Sequence, residues 1–112
     1  MRSVSTHILD TTLGRPAAGV PVSLEKKANG EFSRVGGGMT DADGRIRDLV
    51  PEGQLEVGIY RITFDTTAYY HLQGLECFYP EVSVAFQIRD PEAHYHVPLL
   101  VSPYAYSTYR GS

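Results

Sequence analysis

Val82-Ser-Val-Ala-Phe-Gln-Ile88 alternates strictly, with apolar valine, valine, phenylalanine and isoleucine at the even positions and serine, alanine and glutamine between them. Side chains point to opposite faces along a strand with a period of two, so this stretch builds a strand with one buried face. The same period recurs in Val20, Val22 and Leu24 against Pro21, Ser23 and Glu25, in Tyr60, Ile62 and Phe64, and in Val4–Asp10. Turn-forming residues punctuate these segments: Asn29-Gly30, the run Gly36-Gly37-Gly38, Asp41-Ala-Asp-Gly44 and Pro51-Glu-Gly53. Short strands with frequent turns predict a mainly β fold, an antiparallel sandwich or barrel.

Asp65-Thr-Thr-Ala-Tyr-Tyr-His-Leu-Gln-Gly74 breaks the period. It opens on a residue suited to an N-cap and closes on a glycine suited to C′, so one short helix is expected there. Strands follow at Val82–Arg89 and His94–Val101, and the sequence then runs to Ser112 with Tyr104, Tyr106 and Tyr109 and almost no charge. So many tyrosines favour burial. The segment either completes the domain's own sheet or, the reading preferred here, meets its counterpart on another subunit.

The 112 residues suffice for one core, and no repeat or Pro/Gly/Ser-rich linker divides them, so residues 1–112 read as a single domain. A net charge of −3 with scattered Lys and Arg leaves no basic stripe for nucleic acid. No apolar run reaches membrane-spanning length, and Met1–His7 runs into the alternating pattern without the apolar core of a secretory leader. Cys77 is the single cysteine, which excludes an intrachain disulfide. Together these features predict a cytoplasmic protein that meets neither membrane nor nucleic acid.

Five groups of residues are candidates for chemistry. His94 and His96 lie two apart in the last long strand, so both imidazoles project from one face, opposite Tyr95, Val97 and Leu99. With His7 they have the composition of a three-imidazole zinc site, but the spacing alone does not carry a metal, and none is expected. His7 shares its face with Ser5 and Leu9; it is either a structural histidine or a base matched to neutral pH. Arg45 follows the Asp41–Gly44 turn, with Arg47 on the same face, and is either a surface charge or an anchor for an anionic ring or oxyanion. Asp41, Asp43 and Gly44 resemble the start of a calcium loop, yet the later oxygen ligands are missing and a turn explains them better. Cys77 sits among apolar neighbours and reads as an inert packed thiol. No phosphate loop and no Gly-x-Ser-x-Gly elbow is present.

His94-Tyr-His-Val-Pro-Leu-Leu100, with Tyr106-Ser-Thr-Tyr-Arg-Gly-Ser112 at the end, resembles the 5-hydroxyisourate hydrolases, the transthyretin-related enzymes of urate breakdown. Ser5-Thr-His-Ile-Leu-Asp-Thr11, Gly14-Arg-Pro-Ala17, Thr40-Asp-Ala-Asp-Gly-Arg45, Gly58-Ile-Tyr-Arg61 and Leu75-Glu-Cys-Phe-Tyr-Pro-Glu81 extend the likeness over essentially the whole chain. The closing Tyr-Arg-Gly-Ser is the discriminating part, because the hormone-carrying transthyretins share the fold without it.

The resemblance implies a transthyretin-like two-sheet antiparallel β-sandwich with one short helix, assembled as a homotetramer whose sites lie between subunits. It implies a hydrolysis, without cofactor or metal, that opens 5-hydroxyisourate to 2-oxo-4-hydroxy-4-carboxy-5-ureidoimidazoline. The implied catalytic residues are His7, Arg45, His96 and Ser112, and the implied substrate-binding residues are His7, Arg45, Tyr109, Arg110 and Gly111. Either His7 or His96 would act as the base. Ser112 offers a hydroxyl and, as the last residue of the sequence, an α-carboxylate able to orient a histidine. Tyr79, Val101 and Ala105 depart from the family's usual phenylalanine, leucine and glycine, and alanine at 105 would strain a turn that needs positive φ. The rival readings are a transthyretin-like carrier of small aromatic ligands, a purely structural sandwich and a zinc hydrolase.

Overall fold

Apolar faces with a period of two need a second apolar face to close on, and the alternating segments pair into two sheets that supply each other's cover. The structure, a computed structural model, describes residues 3–51 and 55–112; the Glu52-Gly53 part of the expected turn lies outside them. Among the described residues the strands are β1 (Ser3–Asp10), β2 (Arg15–Pro16), β3 (Pro21–Ala28), β4 (Glu31–Met39), β5 (Arg45–Ile46), β6 (Gly58–Phe64), β7 (Val82–Ile88), β8 (His94–Val101) and β9 (Tyr106–Thr108). One sheet runs β4-β3-β6-β7, antiparallel throughout. The other runs β2-β1-β8-β9, with β5 also on β1. Between the sheets lie Val4, Ile8, Val97 and Leu99 from one side and Leu24, Tyr60, Ile62, Phe64, Val82 and Ile88 from the other, all buried.

β1 and β8 pair in parallel over their full length, from Ser3 opposite His94 to Asp10 opposite Val101, whereas every other named pairing is antiparallel. Since β8 fills one edge of β1, the two-residue strands β2 and β5 share the other, opposite Leu9-Asp10 and Thr6-His7 respectively. β2, β4, β5 and β9 carry too few alternating residues to announce themselves in the sequence.

The short helix, α1 (Thr66–His71), begins where expected: the Asp65 carboxylate accepts a hydrogen bond from the Ala68 N–H. It ends earlier than the glycine suggested, with Leu72 as C-cap, although Gly74 does take φ +68°. Tyr69 in this helix donates its hydroxyl to the Asp10 carboxylate at 2.7 Å, and Asp10 also accepts from the N–H groups of Thr12 and Leu13. Burial and this carboxylate push the Tyr69 hydroxyl up to about 12.

Asn29-Gly30 forms the β3–β4 turn with φ +54° and +79°, the left-handed pair that a two-residue hairpin requires. Asp41–Gly44 is also a turn, in which Asp41 Oδ1 accepts from the N–H groups of Asp43 and Arg45. Gly36-Gly37-Gly38, in contrast, is not a turn: it lies inside β4, opposite Leu24, Ser23 and Val22. The physical reason is crowding. The Leu49 carbonyl accepts from the Gly37 N–H, and a Cβ added at Gly36 would lie 1.9 Å from that oxygen. Ala105 is spared the strain expected of it, because Asn29 is the one non-glycine residue with positive φ among those described.

The close approach at Gly36 makes a measurable claim. Gly36→Ala is expected to lower unfolding stability by about 2–4 kcal/mol, since the neighbour in the way is backbone rather than a flexible side chain. Urea titration followed by circular dichroism checks this, and a loss below about 0.5 kcal/mol, the range of an ordinary surface substitution, would mean that the strand does not pass so close to Leu49.

Candidate active site

The face of β1 turned away from the core carries Ser3, Ser5 and His7, and the parallel register sets His94 opposite Ser3 and His96 opposite Ser5. Parallel pairing keeps both sets of side chains in step, so serines and imidazoles meet row by row. The Ser5 hydroxyl lies 2.7 Å from His96 Nδ1 and 3.1 Å from His94 Nε2, and the Ser3 hydroxyl is hydrogen-bonded to His94 Nδ1. The two rings are nearly parallel, with centroids 6.3 Å apart.

Beside this row, β5 brings Arg45 opposite His7. Gly44 permits it: at φ +72° it passes so close to Ile8 that a Cβ would stand 2.5 Å from the Ile8 carbonyl oxygen. A cleft of about 460 Å³ results, lined by Ser3, Ser5, Arg45, Arg47, His94, His96 and Ser112 with Thr6, Asp43 and Ile46. Of the residues expected at the site, it therefore gathers Arg45, His96 and Ser112.

His7 stands just beyond the lining but within electrostatic reach. Burial lowers the His96 pKa from the ordinary 6.5, and the charges of His94, His7 and Arg45 lower it further, against a hydrogen bond to Ser5 that acts the other way. The neutral form of His96 is thus favoured. Gly111 lies across it, donating its N–H to the His96 carbonyl at 2.9 Å, and a Cβ there would come 2.4 Å from the ring carbon Cδ2. Only glycine lets the chain lie on the imidazole.

Tyr109 and Arg110 do not join this cleft. They line a neighbouring cavity of about 310 Å³ with Val84, Phe86, Tyr95 and Val97, where the Arg110 guanidinium sits 4.7 Å above the Tyr95 ring. His96 borders both cavities. Among the described residues no group of three His, Cys, Asp or Glu side chains is placed to hold a metal ion. Cys77 is half-buried against the core and 3.8 Å from the Thr67 hydroxyl, and it lines neither cavity, as a packed thiol should.

Sequence reasoning gave Ser3 and Ser5 no role. Their signal was present in the alternation Ser3, Ser5, His7, but it becomes chemistry only once β8 is known to lie alongside in register. The tyrosine-rich segment turns out to complete the domain's own sheet, with β9 pairing β8 from Val101↔Tyr106 to Leu99↔Thr108. Its rings remain uncovered within one chain: Tyr104 is 70% and Tyr109 60% exposed.

These features have counterparts among known proteins. A 5-hydroxyisourate hydrolase of Salmonella typhimurium is 49% identical over 97% of this chain and 80% of its own. The solved structure of Klebsiella pneumoniae 5-hydroxyisourate hydrolase superposes with a TM-score of 0.88 at 37% identity, covering all of both chains. Sea bream transthyretin in complex with thyroxine superposes equally well, TM-score 0.89 at 37% identity over 97% of this chain and 94% of that one. Residues 4–111 match the family model described as HIUase/Transthyretin, and the chain belongs to the HIUase/Transthyretin family.

Proposed function

We propose that this protein is a hydrolase that opens 5-hydroxyisourate to 2-oxo-4-hydroxy-4-carboxy-5-ureidoimidazoline in urate degradation. The observation that carries this reading is the outer face of the β1–β8 pair, where a neutral imidazole, two arginines and hydroxyls converge on one cleft. Such a set suits water attack on a ring acyl carbon: a base for the water, cations for the developing oxyanion, and polar groups to fix an oxygen-rich heterocycle. The named hydrolases of Salmonella and Klebsiella support the same substrate.

In this reading His96 takes the proton from water. Arg45 and His7, opposite each other across β1 and β5, hold the ring and the oxyanion, and Ser112 closes the cleft beside His96. Gly111 lets the segment after β9 lie on the base, while Tyr109 and Arg110 wall the site from the neighbouring cavity. A sheet face offers a floor and few walls, so the remaining enclosure is supplied by further copies in a homotetramer. The exposed Phe78, Tyr79, Tyr104 and Tyr106, with Tyr79 and Tyr106 in edge contact, support burial of this edge against a partner.

A carrier without catalysis is the second reading, favoured by the likeness to thyroxine-bound sea bream transthyretin, which is as close in fold as the Klebsiella enzyme. Following the ultraviolet decay of freshly generated 5-hydroxyisourate separates the two. The hydrolase accelerates the decay, and His96→Asn is expected to cut kcat/KM by roughly 10²–10⁴-fold; binding without acceleration would favour the carrier.

The pH profile tests the choice of base. Because the His96 pKa is lowered, the neutral ring persists as pH falls through 6.5 and is lost only below it. The acid limb of kcat/KM is therefore expected below pH 6.5, and an inflection above that value would point to another base. Analytical ultracentrifugation tests the assembly: the expected mass is four times the 12.4 kDa chain, and a monomer would remove the inter-subunit site.

A further inference from the structure

A hydroxyl has one proton. The Ser5 hydroxyl lies between two imidazole nitrogens, His96 Nδ1 at 2.7 Å and His94 Nε2 at 3.1 Å. It donates to one and must then accept an N–H from the other, so the tautomers of the two rings are tied together. The Ser3 hydroxyl, bonded to His94 Nδ1, extends the chain to four side chains. Two polarities are open to it. In one, His96 Nδ1–H donates to Ser5, Ser5 donates to His94 Nε2, and His94 Nδ1–H donates to Ser3, which leaves a bare lone pair on His96 Nε2. In the other every bond is reversed and His96 Nε2 carries the proton.

We infer that Ser3, His94, Ser5 and His96 form a proton wire in which Ser5 is the link, holding His96 as a base and passing on to His94 the charge that His96 gains from water. The inference rests on the hydrolase reading above. In the first polarity His96 Nε2 takes a proton from the attacking water and becomes an imidazolium. Its Nδ1 proton moves to the Ser5 oxygen as the Ser5 proton moves to His94 Nε2. Protons balance: His96 is neutral again with its proton on Nε2, and His94 carries the positive charge. As His96 Nε2 delivers its proton to the departing ring nitrogen and the bond to the acyl carbon breaks, the wire runs back: His94 Nε2 returns its proton to the Ser5 oxygen and Ser5 passes its own to His96 Nδ1, so that no imidazolate forms and both rings end neutral in the first polarity.

Burial gives the transfer its direction. A cation on half-buried His96 is disfavoured by desolvation and by His94, His7 and Arg45 around it, whereas His94 is solvent-exposed at the start of β8. Arg47, just after β5, and Asp43, in the turn before it, line the same cleft, one of each sign. His94 and Ser5 are thus positioning residues that act through His96.

The test is the proton inventory of the intact enzyme: kcat for 5-hydroxyisourate in mixtures of H2O and D2O, with the wild type, Ser5→Ala, Ser5→Thr and His94→Gln. The wild type is expected to give a curved plot, because more than one proton moves in the transition state. Ser5→Ala is expected to straighten it and to lower kcat by roughly 10–100-fold, part of what general-base catalysis contributes, with KM unchanged. Ser5→Thr, which keeps the hydroxyl, is expected to restore both. His94→Gln, at an exposed ring, gives the same straightened plot and keeps the test open if Ser5→Ala fails to fold.

A folded Ser5→Ala or His94→Gln enzyme with wild-type curvature and kcat overturns the wire and leaves the hydrolase assignment standing. A wild-type protein that leaves 5-hydroxyisourate at its spontaneous rate of decay overturns both. Nitrogen-15 NMR of the imidazoles adds a readout independent of turnover. Linked tautomers at His94 and His96 that uncouple in Ser5→Ala support the wire, and tautomers indifferent to Ser5 refute it.

Discussion

The parallel pairing of β1 with β8 is the constraint on which the rest of this molecule depends. Eight consecutive residue pairs fix its register. Because side chains alternate on both strands in step, one register commits two surfaces at once. Inward, Val4, Thr6 and Ile8 meet Tyr95, Val97 and Leu99 in the core; outward, Ser3, Ser5 and His7 meet His94, His96 and Pro98. A slip of one residue would turn the histidines into the core and the valines into the cleft. The buried apolar face therefore protects the polar one: every contact that stabilises the sandwich also holds the serine–histidine rows in place.

The second sheet contributes no residue to the polar cleft, yet it determines where the cleft can form. By covering the inner face of β1 and β8 it leaves chemistry only the outer face. The crossover strands then bring what that face lacks. β5 reaches β1 through a turn that needs glycine at 44, and the segment after β9 reaches His96 through glycine at 111. At both points backbone lies where a side chain would stand, which is how a small sandwich crowds an arginine and a capping segment around an imidazole.

Much of this was legible in the sequence, and for physical reasons. Val82–Ile88 and His94–Val101 reveal themselves because a strand with one wet face must alternate, and Asp65 reveals the helix because an N-cap needs a short acceptor side chain. Gly36–Gly38 misled, because glycine serves close packing as well as turns and only the position of Leu49 decides between them. Arg45, His96 and Ser112 were named through resemblance, and they do share a cleft. Ser3 and Ser5 went unremarked because a serine in a strand is unremarkable until its neighbour across the ladder is known. The parallel direction of that ladder is a long-range property that no local pattern encodes.

The two partners of that ladder stand about as far apart along the chain as it allows, Ser3 and His94 being separated by 91 positions. The β3–β4 hairpin closes locally across Asn29-Gly30, whereas β1 finds β8 only once the intervening chain is organised. Loop-closure entropy therefore places the cleft after the local hairpins in the order of assembly, because it needs the long-range ladder first. The β4-β3-β6-β7 ladder contains no pairing with β1, so detaching β1 takes the serines from the histidines without breaking one bond of that ladder. Competence in this protein is thus a stricter criterion of nativeness than compactness or strand content.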